Sequence, residues 1–375
     1  MNHDELMNQA ASSTTGQASS GPTSLASVLG DEYARDASDI HLAPGYPVTV
    51  RVHGKLFGIN NKPLTEEATE QLITELVPPT LHDRLHSSKN VDCSLKFDVN
   101  GSLQRFRANV YVAQGTLCAC LRRIPEDIPT FQWMGFPAPL ADRLIGLKNG
   151  LVLVTGVTGS GKSTTLAALI NRINEQGGRR IITVEEPIEY VHKPRLTGMI
   201  TQREVGKDVD SFYDGLKYGL RQDPDVILVG EIRDRETARM TLSAAETGHL
   251  IFATMHTQDA KGAITRFVDL FPHDVHNDVR TQLALSLRSV VNQHLIPSID
   301  PLGKRALAVE ILHANQPVRT AIRAGKIDSL ESAIQTGKRD GMVTLDEDLT
   351  RLCFEQKINM ETARQFAKDP QQIGR

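Results

Sequence analysis

Nine consecutive residues, Gly156-Val157-Thr158-Gly159-Ser160-Gly161-Lys162-Ser163-Thr164, constrain this chain more than any other feature. They fit G-x-x-x-x-G-K-[ST] and stand in the context that pattern needs. The apolar run Leu151-Val152-Leu153-Val154 precedes them, and Leu166, Leu169, Ile170 and Ile173 recur near a 3.6-residue period behind them. Gly177 and Gly178 then supply a helix stop. The expected order is strand, glycine loop, helix. In such a loop backbone N–H groups curl around phosphate oxygens, and the helix N-terminus adds partial positive charge. Gly156, Thr158, Gly159, Ser160, Gly161 and Thr164 are the candidate cradle. Lys162 reaches the β and γ phosphates of ATP, and Ser163 offers its hydroxyl to Mg2+. A nucleoside triphosphate site is predicted; the alternative is a glycine-rich strand-to-helix turn that matches by accident.

A chain of 375 residues suggests two to three domains, and a hydrophobic content of 40% is enough for sizeable cores. The net charge of −3 gives no global basic excess, so nucleic acid is not an expected partner, although local basic patches stay open. Cys93, Cys118, Cys120 and Cys353 make neither a C-x-x-C pair nor a zinc spacing, which fits a reducing cytoplasm. Cys118 and Cys120 are expected to share one face of a strand as small buried side chains. No segment approaches the ~20 apolar residues of a membrane span, and the N-terminus lacks the pattern of a signal peptide. Service to a membrane machine would come from the soluble side, without direct insertion.

Residues 1–23 are rich in Ser, Thr, Gln, Ala and Gly and read as a flexible tail. A small α+β domain follows over 24–125, with a short helical stripe through Leu25, Val28, Leu29 and Tyr33. Pro47 to Leu56 alternates and turns at Gly54, a helix fits between Thr65 and Leu85, and Gln104–Tyr111 and Leu117–Ile124 read as antiparallel strands. Prolines punctuate a linker over 126–139. Over 140–297 strands alternate with helices: Ile181–Val184, a helix near Phe212–Arg221, Val226–Val229, a helix near Arg235–Thr247, and Leu250–Thr254. That alternation predicts an α/β core with a parallel sheet and its ligand at the strand carboxyl ends. Residues 298–375 read as mostly helical.

Three of the predicted strand ends carry charge. One ends in Glu185-Glu186-Pro187-Ile188-Glu189-Tyr190, one in Gly230-Glu231, and one in His256-Thr257. Strand ends of such a sheet face one crevice, so these groups can converge on the γ-phosphate. In-line attack on phosphorus needs a positioned water, a group that polarises it and Mg2+ on the phosphate oxygens. Glu231 and Glu185 can orient that water and organise the metal's water shell, and His256 can report which nucleotide is bound. Glu186 and Glu189 stay open between a site role and a cap or ion pair, and His249 between a site role and a structural hydrogen bond. In the first domain Arg105 and Arg107 share a face near Arg122 and Arg123, as surface charge or as arginine fingers.

Taken together, these residues resemble the secretion ATPase superfamily of type II and type IV machines, closest to its type IV pilus retraction branch. The resemblance runs from about Asp31 to Lys368. It rests on Ala37-Ser38-Asp39-Ile40-His41-Leu42, Arg105-Phe106-Arg107, the phosphate loop, the acidic box at Glu185-Glu186-Pro187, Leu220 to Asp225 leading into Gly230-Glu231, and Ala245-Glu246-Thr247-Gly248-His249 leading to His256-Thr257. It implies a PAS-like N-terminal domain, a RecA-like core and a homohexameric ring. It also implies action on an inner-membrane platform protein from the cytoplasmic face, with a paralogous retraction ATPase as a further partner. By the same resemblance Glu231 is the catalytic glutamate, Glu185 its helper, and Arg107 and Arg122, less directly Arg105, reach the nucleotide. The chain departs from the family at Glu186, where the box usually carries aspartate. It departs again at Ala324, where the signature resembling Pro317-Val318-Arg319-Thr320-Ala321-Ile322-Arg323 loses a closing glutamate. The chain has no tetracysteine module of the kind usual in assembly ATPases. Competing readings are a pilus-assembly or secretion ATPase, a nucleotide-binding regulatory ring partner, and a RecA-type nucleic-acid motor.

Overall fold

The computed structural model describes residues 24–30, 37–52, 55–99, 102–124, 127–300 and 303–374. The tail expected over 1–23 lies outside the described residues, as do Tyr33 and Gly54. The chain divides into two compact units, Met1–Ile124 and Pro125–Arg375.

In the first unit β1 (Asp39–Leu42), β2 (Thr49–Val52), β3 (Lys55–Gly58), β4 (Asn90–Val99), β5 (Ser102–Ala113) and β6 (Thr116–Ile124) form an antiparallel sheet in the order β3-β2-β1-β6-β5-β4. Phe106, Ala108 and Val110 alternate along β5 onto a core shared with Leu72, Ile73 and Leu76 of helix Glu66–Leu76. That helix starts where Thr65 accepts a hydrogen bond from Ala68 N at 3.1 Å. The single helix expected between Thr65 and Leu85 is instead broken, with Glu66–Leu76 followed by a 3-10 turn at Pro79–Leu81 and a helix at His82–Ser88. Pro78 and Pro79 have no N–H to continue the ladder, and the pyrrolidine ring clashes with the preceding turn.

The second unit carries β7 (Gly150–Thr155), β8 (Arg180–Glu185), β9 (Met199–Glu204), β10 (Val226–Val229), β11 (Leu250–Met255), β12 (Leu287–Ile296) and β13 (Ala306–His313). They pair in the order β13-β12-β7-β11-β10-β8-β9. All neighbours are parallel except β12 and β13. Every residue of β7, β10 and β11 is buried, as a sheet covered on both faces requires. The region after Pro297, expected to be mostly helical, opens instead with the strand β13, which extends the sheet. Its sequence, Ala306-Leu307-Ala308-Val309-Glu310-Ile311-Leu312-His313, is buried at every position and so has no period of its own. Helices Gln316–Arg323, Ser329–Thr336, Leu345–Phe354 and Met360–Phe366 follow it.

Candidate nucleotide site

Parallel register fixes the height of each site residue. Leu153, Ala253, Val229 and Val184 stand side by side across β7, β11, β10 and β8, so the segments after them leave the sheet at one edge. β7 runs directly into the glycine loop and then into helix Lys162–Gln176. Gly156, Gly159 and Gly161 have φ of 143°, 77° and 89°, a region that side chains rarely adopt. At Gly156 a Cβ would also stand 2.4 Å from Gln293 O and 2.5 Å from Ser160 Oγ, so only glycine fits. Thr158 and Gly159 are exposed at the tip, and Ser163 is exposed on the first helical turn.

Lys162 is buried, and its Nζ donates to Gly156 O at 2.9 Å and Val157 O at 3.0 Å. Burial pushes the lysine's pKa down, while the carboxylates of Glu231 and Glu189 partly restore it. The same Nζ lies 3.5 Å from His256 Nδ1. An ammonium only donates, so Nδ1 accepts and Nε2 carries the ring proton toward Glu231 Oε2 at 3.4 Å. Arg233 Nη2 meets that same oxygen at 2.8 Å, and Arg233 Nη1 meets Glu186 Oε2 at 2.8 Å. The hydrogen bond with Glu231, opposed by burial, raises the arginine's pKa. A continuous polar chain thus runs from the phosphate-loop lysine through His256, Glu231 and Arg233 to Glu186, and three strand ends besides the loop after β7 contribute to it.

The backbone of Glu231 is fixed by its neighbours. Gly230 N donates to Val184 O at 2.8 Å, Thr254 Oγ1 to Gly230 O at 2.5 Å, and Ile232 N to Thr254 O at 3.0 Å. Gly230 packs so closely that a Cβ there would lie 3.1 Å from Phe212, 3.1 Å from Val184 O and 3.2 Å from the Glu185 Cα. Asp234 then caps helix Arg235–Glu246 by accepting from Thr237 N at 2.7 Å.

The other expected residues separate. Glu185 accepts from Thr183 Oγ1 at 2.6 Å and from Gln202 Nε2 at 3.1 Å, which ties it toward the edge strand β9. Thr164 Oγ1 lies 3.2 Å from the Tyr190 hydroxyl, joining the first turn of the loop helix to the end of the acidic box. His249 precedes β11 at the opposite end of the sheet, where its Nδ1 lies 3.0 Å from Ala244 O and 3.2 Å from Thr247 Oγ1. In the first unit Arg107 and Arg122 are direct cross-strand partners and share a face with Arg105, whereas Arg123 pairs with the buried Phe106 and so takes the other face. Arg122 donates to Asp39 Oδ1 at 2.8 Å, and Arg107 Nε stands 3.8 Å from Asp92 Oδ1.

Sequence reasoning missed three positions. Arg233 is one. The others are Asn292 and Gln293 on β12, both fully buried. Asn292 Nδ2 donates to Thr155 Oγ1 at 2.9 Å and to Thr257 O at 3.1 Å, bracing the root of the glycine loop against the residue after His256. Gln293 Nε2 donates to Thr165 Oγ1 at 2.8 Å in the first turns of the loop helix. The only local signal was an amide pair directly after Val290-Val291.

The residues fit a bound nucleotide. Ser160 Oγ is buried in the loop with no hydrogen-bond partner among the described residues, and the left-handed glycines open the backbone as a phosphate nest requires. Among the described residues no group of three or more His, Cys, Asp or Glu could hold a metal ion. Ser163 is exposed on the first helical turn, and Mg2+ takes few protein ligands and completes its shell with phosphates and water.

Known proteins point the same way. The model of the family described as type II/IV secretion system protein matches residues 17–373. The type IV pilus retraction ATPase PilT of Pseudomonas aeruginosa is 42% identical over 335 residues, 89% of this chain and 95% of that protein. The twitching motility protein of Neisseria gonorrhoeae is 40% identical over 324 residues, 86% of this chain and 85% of its own length. The crystal structure of the pilus retraction motor PilT with bound ADP superposes with a TM-score of 0.82 at 41% identity, covering 92% of this chain and 97% of that one. No helix among the described residues is long and apolar enough to cross a membrane. With a nucleotide-shaped loop, a shared α/β fold and near full-length identity in agreement, the chain belongs to the type II/IV secretion system protein family.

Proposed function

We propose that this chain is an ATP-hydrolysing motor that powers type IV pilus retraction, working as a homohexamer on an inner-membrane platform protein at the cytoplasmic face of the membrane. The observation that carries this reading is the polar chain from Lys162 through His256 to Glu231, built at the carboxyl edge of the sheet. In this reading the first unit from residue 24 to 125 is a PAS-like domain, and 126–139 is a linker. The core from 140 is RecA-like and extends through β13, ahead of a helical C-terminal region. A paralogous retraction ATPase is a further partner.

Each residue has a task. The loop from Gly156 to Thr164 holds the phosphates, and Lys162 turns its ammonium from its own loop carbonyls to the β and γ oxygens. Glu231 accepts a hydrogen bond from the attacking water and holds it in line with phosphorus. His256, whose Nε2 stands 3.4 Å from Glu231 Oε2, keeps that carboxylate turned toward the loop and senses whether a γ-phosphate lies beside Lys162. Glu185 acts through the acidic box. Ser163 through its hydroxyl, and Glu231 through the metal's water shell, would hold Mg2+, which would supply charge neutralisation on the phosphate oxygens. Arg107 and Arg122 share one face of the first unit's sheet and serve as arginine fingers toward the nucleotide of a neighbouring subunit, and hydrolysis removes the preference for that contact.

The test is turnover by the purified chain with Glu231→Gln as control. Wild type should release phosphate about 10²- to 10³-fold faster than the variant; equal rates would end the motor claim. A deletion strain then separates the branches. Hyperpiliated, immobile cells fit retraction, and bare cells fit assembly.

A further inference from the structure

We infer that Arg233 is a positioning residue for the hydrolytic glutamate, holding Glu231 by a bridge anchored on Glu186. The inference rests on the ATPase reading above and names a group that the sequence motifs leave without a task.

The geometry carries the argument. One guanidinium spans two carboxylates from different strand ends, with Nη2 at 2.8 Å from Glu231 Oε2 and Nη1 at 2.8 Å from Glu186 Oε2. The planar fork of arginine can make both contacts at once, which fixes the direction between them. His256 Nε2 approaches the same Oε2 of Glu231 at 3.4 Å. Both donors therefore converge on one oxygen, and Oε1 keeps its lone pairs for the water to be activated. A carboxylate pinned through one oxygen cannot rotate its other oxygen out of line, and orientation of this kind is a large part of what a hydrolytic glutamate contributes. Glu231 is mostly buried at 17% exposure, whereas Arg233 and Glu186 are 55% and 42% exposed. The bridge thus lies between the reacting group and solvent, and its loss perturbs orientation more than packing. Glu186 also acquires a reason for its length, because its extra methylene relative to aspartate extends the carboxylate toward Arg233.

The experiment uses the full chain and measures steady-state hydrolysis together with equilibrium binding of a fluorescent ADP analogue. Arg233→Ala should lower kcat about 10- to 100-fold while KM for ATP and the Kd for the analogue stay within about twofold. Arg233→Lys should restore only part of the loss, since a single ammonium does not reproduce a two-carboxylate fork. Glu186→Ala should lower kcat by a smaller factor, and adding it to Arg233→Ala should lower kcat no further, because both act through one bridge. Arg233→Ala with wild-type or higher kcat would overturn the inference, and so would fully additive losses in the double variant or a loss of analogue binding that matches the loss of kcat. Any of these beside an active wild type leaves the motor reading standing. A wild type no faster than Glu231→Gln ends both.

Discussion

The two sheets solve different burial problems, and the difference decides where chemistry can sit. In the second unit β7, β10 and β11 are buried at every residue, so no titratable side chain can project from the strands without losing its water. In these three strands charge is confined to the residues that follow them, and parallel register brings those ends to one edge. In the first unit β5 alternates, with Phe106, Ala108 and Val110 buried and Arg105, Arg107 and Asn109 partly exposed. A one-sided antiparallel sheet of this kind spreads cations over a face. The fully covered sheet makes a point-like site, and the half-covered sheet makes a surface.

Three substitutions or conditions press on that contrast. The largest effect is expected at Phe252 in the middle of β11, fully buried on the sheet face that packs against Leu140, Leu144, Leu166 and Leu169; Phe252→Ala should destabilise the chain by about 3–5 kcal/mol in urea unfolding. A cost below about 1 kcal/mol would mean that this face of the sheet is not covered. Acidification comes next. His192 and His313, both in the second unit, have pKa values pushed down to about 4 from the ordinary 6.5, chiefly because burial disfavours the imidazolium. Below pH 6.5 the unfolded chain takes up protons that the folded chain refuses. Stability present above pH 6.5 is therefore lost as pH falls toward 4, on the order of 2–3 kcal/mol per histidine. Urea midpoints at pH 7, 5.5 and 4.5 check the trend, and His313→Asn should flatten it. The smallest effect on stability belongs to the first unit's open face. The Arg122 side chain is 66% exposed in its pair with Asp39, so Arg122→Ala should shift unfolding by no more than about 1 kcal/mol. Hydrolysis should nonetheless fall if that face supplies the finger, and unchanged turnover would return Arg122 to ordinary surface charge.

Legibility in the sequence followed the same physical divide. The glycine loop could be read because its conformation demands particular residues, and β10 and β11 could be read because short apolar runs end in a charged residue at a recognisable offset. β13 could not, since a segment buried all round has neither the period of a strand nor that of a helix. β9 was missed for the opposite reason: Ile200-Thr201-Gln202-Arg203 is a polar edge strand with little apolar signal. Among site residues, Glu231 and His256 announce themselves by position. Arg233, Asn292 and Gln293 act through hydrogen bonds to partners up to 137 residues away, a relation that no local spacing encodes.

Position 230 makes the last point about spacing. Glycine there has no need of a left-handed backbone; what it supplies is room for β8 and β10 to close against each other beside Phe212. A methyl group would force the strand tips apart by a few tenths of an ångström, and the carboxylate one residue on would drift from its partners by a similar amount. Such a lesion would be scored in any activity screen as the loss of a reacting group, although every reacting group would still be present. In this fold, then, a hydrogen atom in place of a side chain is a component of the alignment of the strand ends.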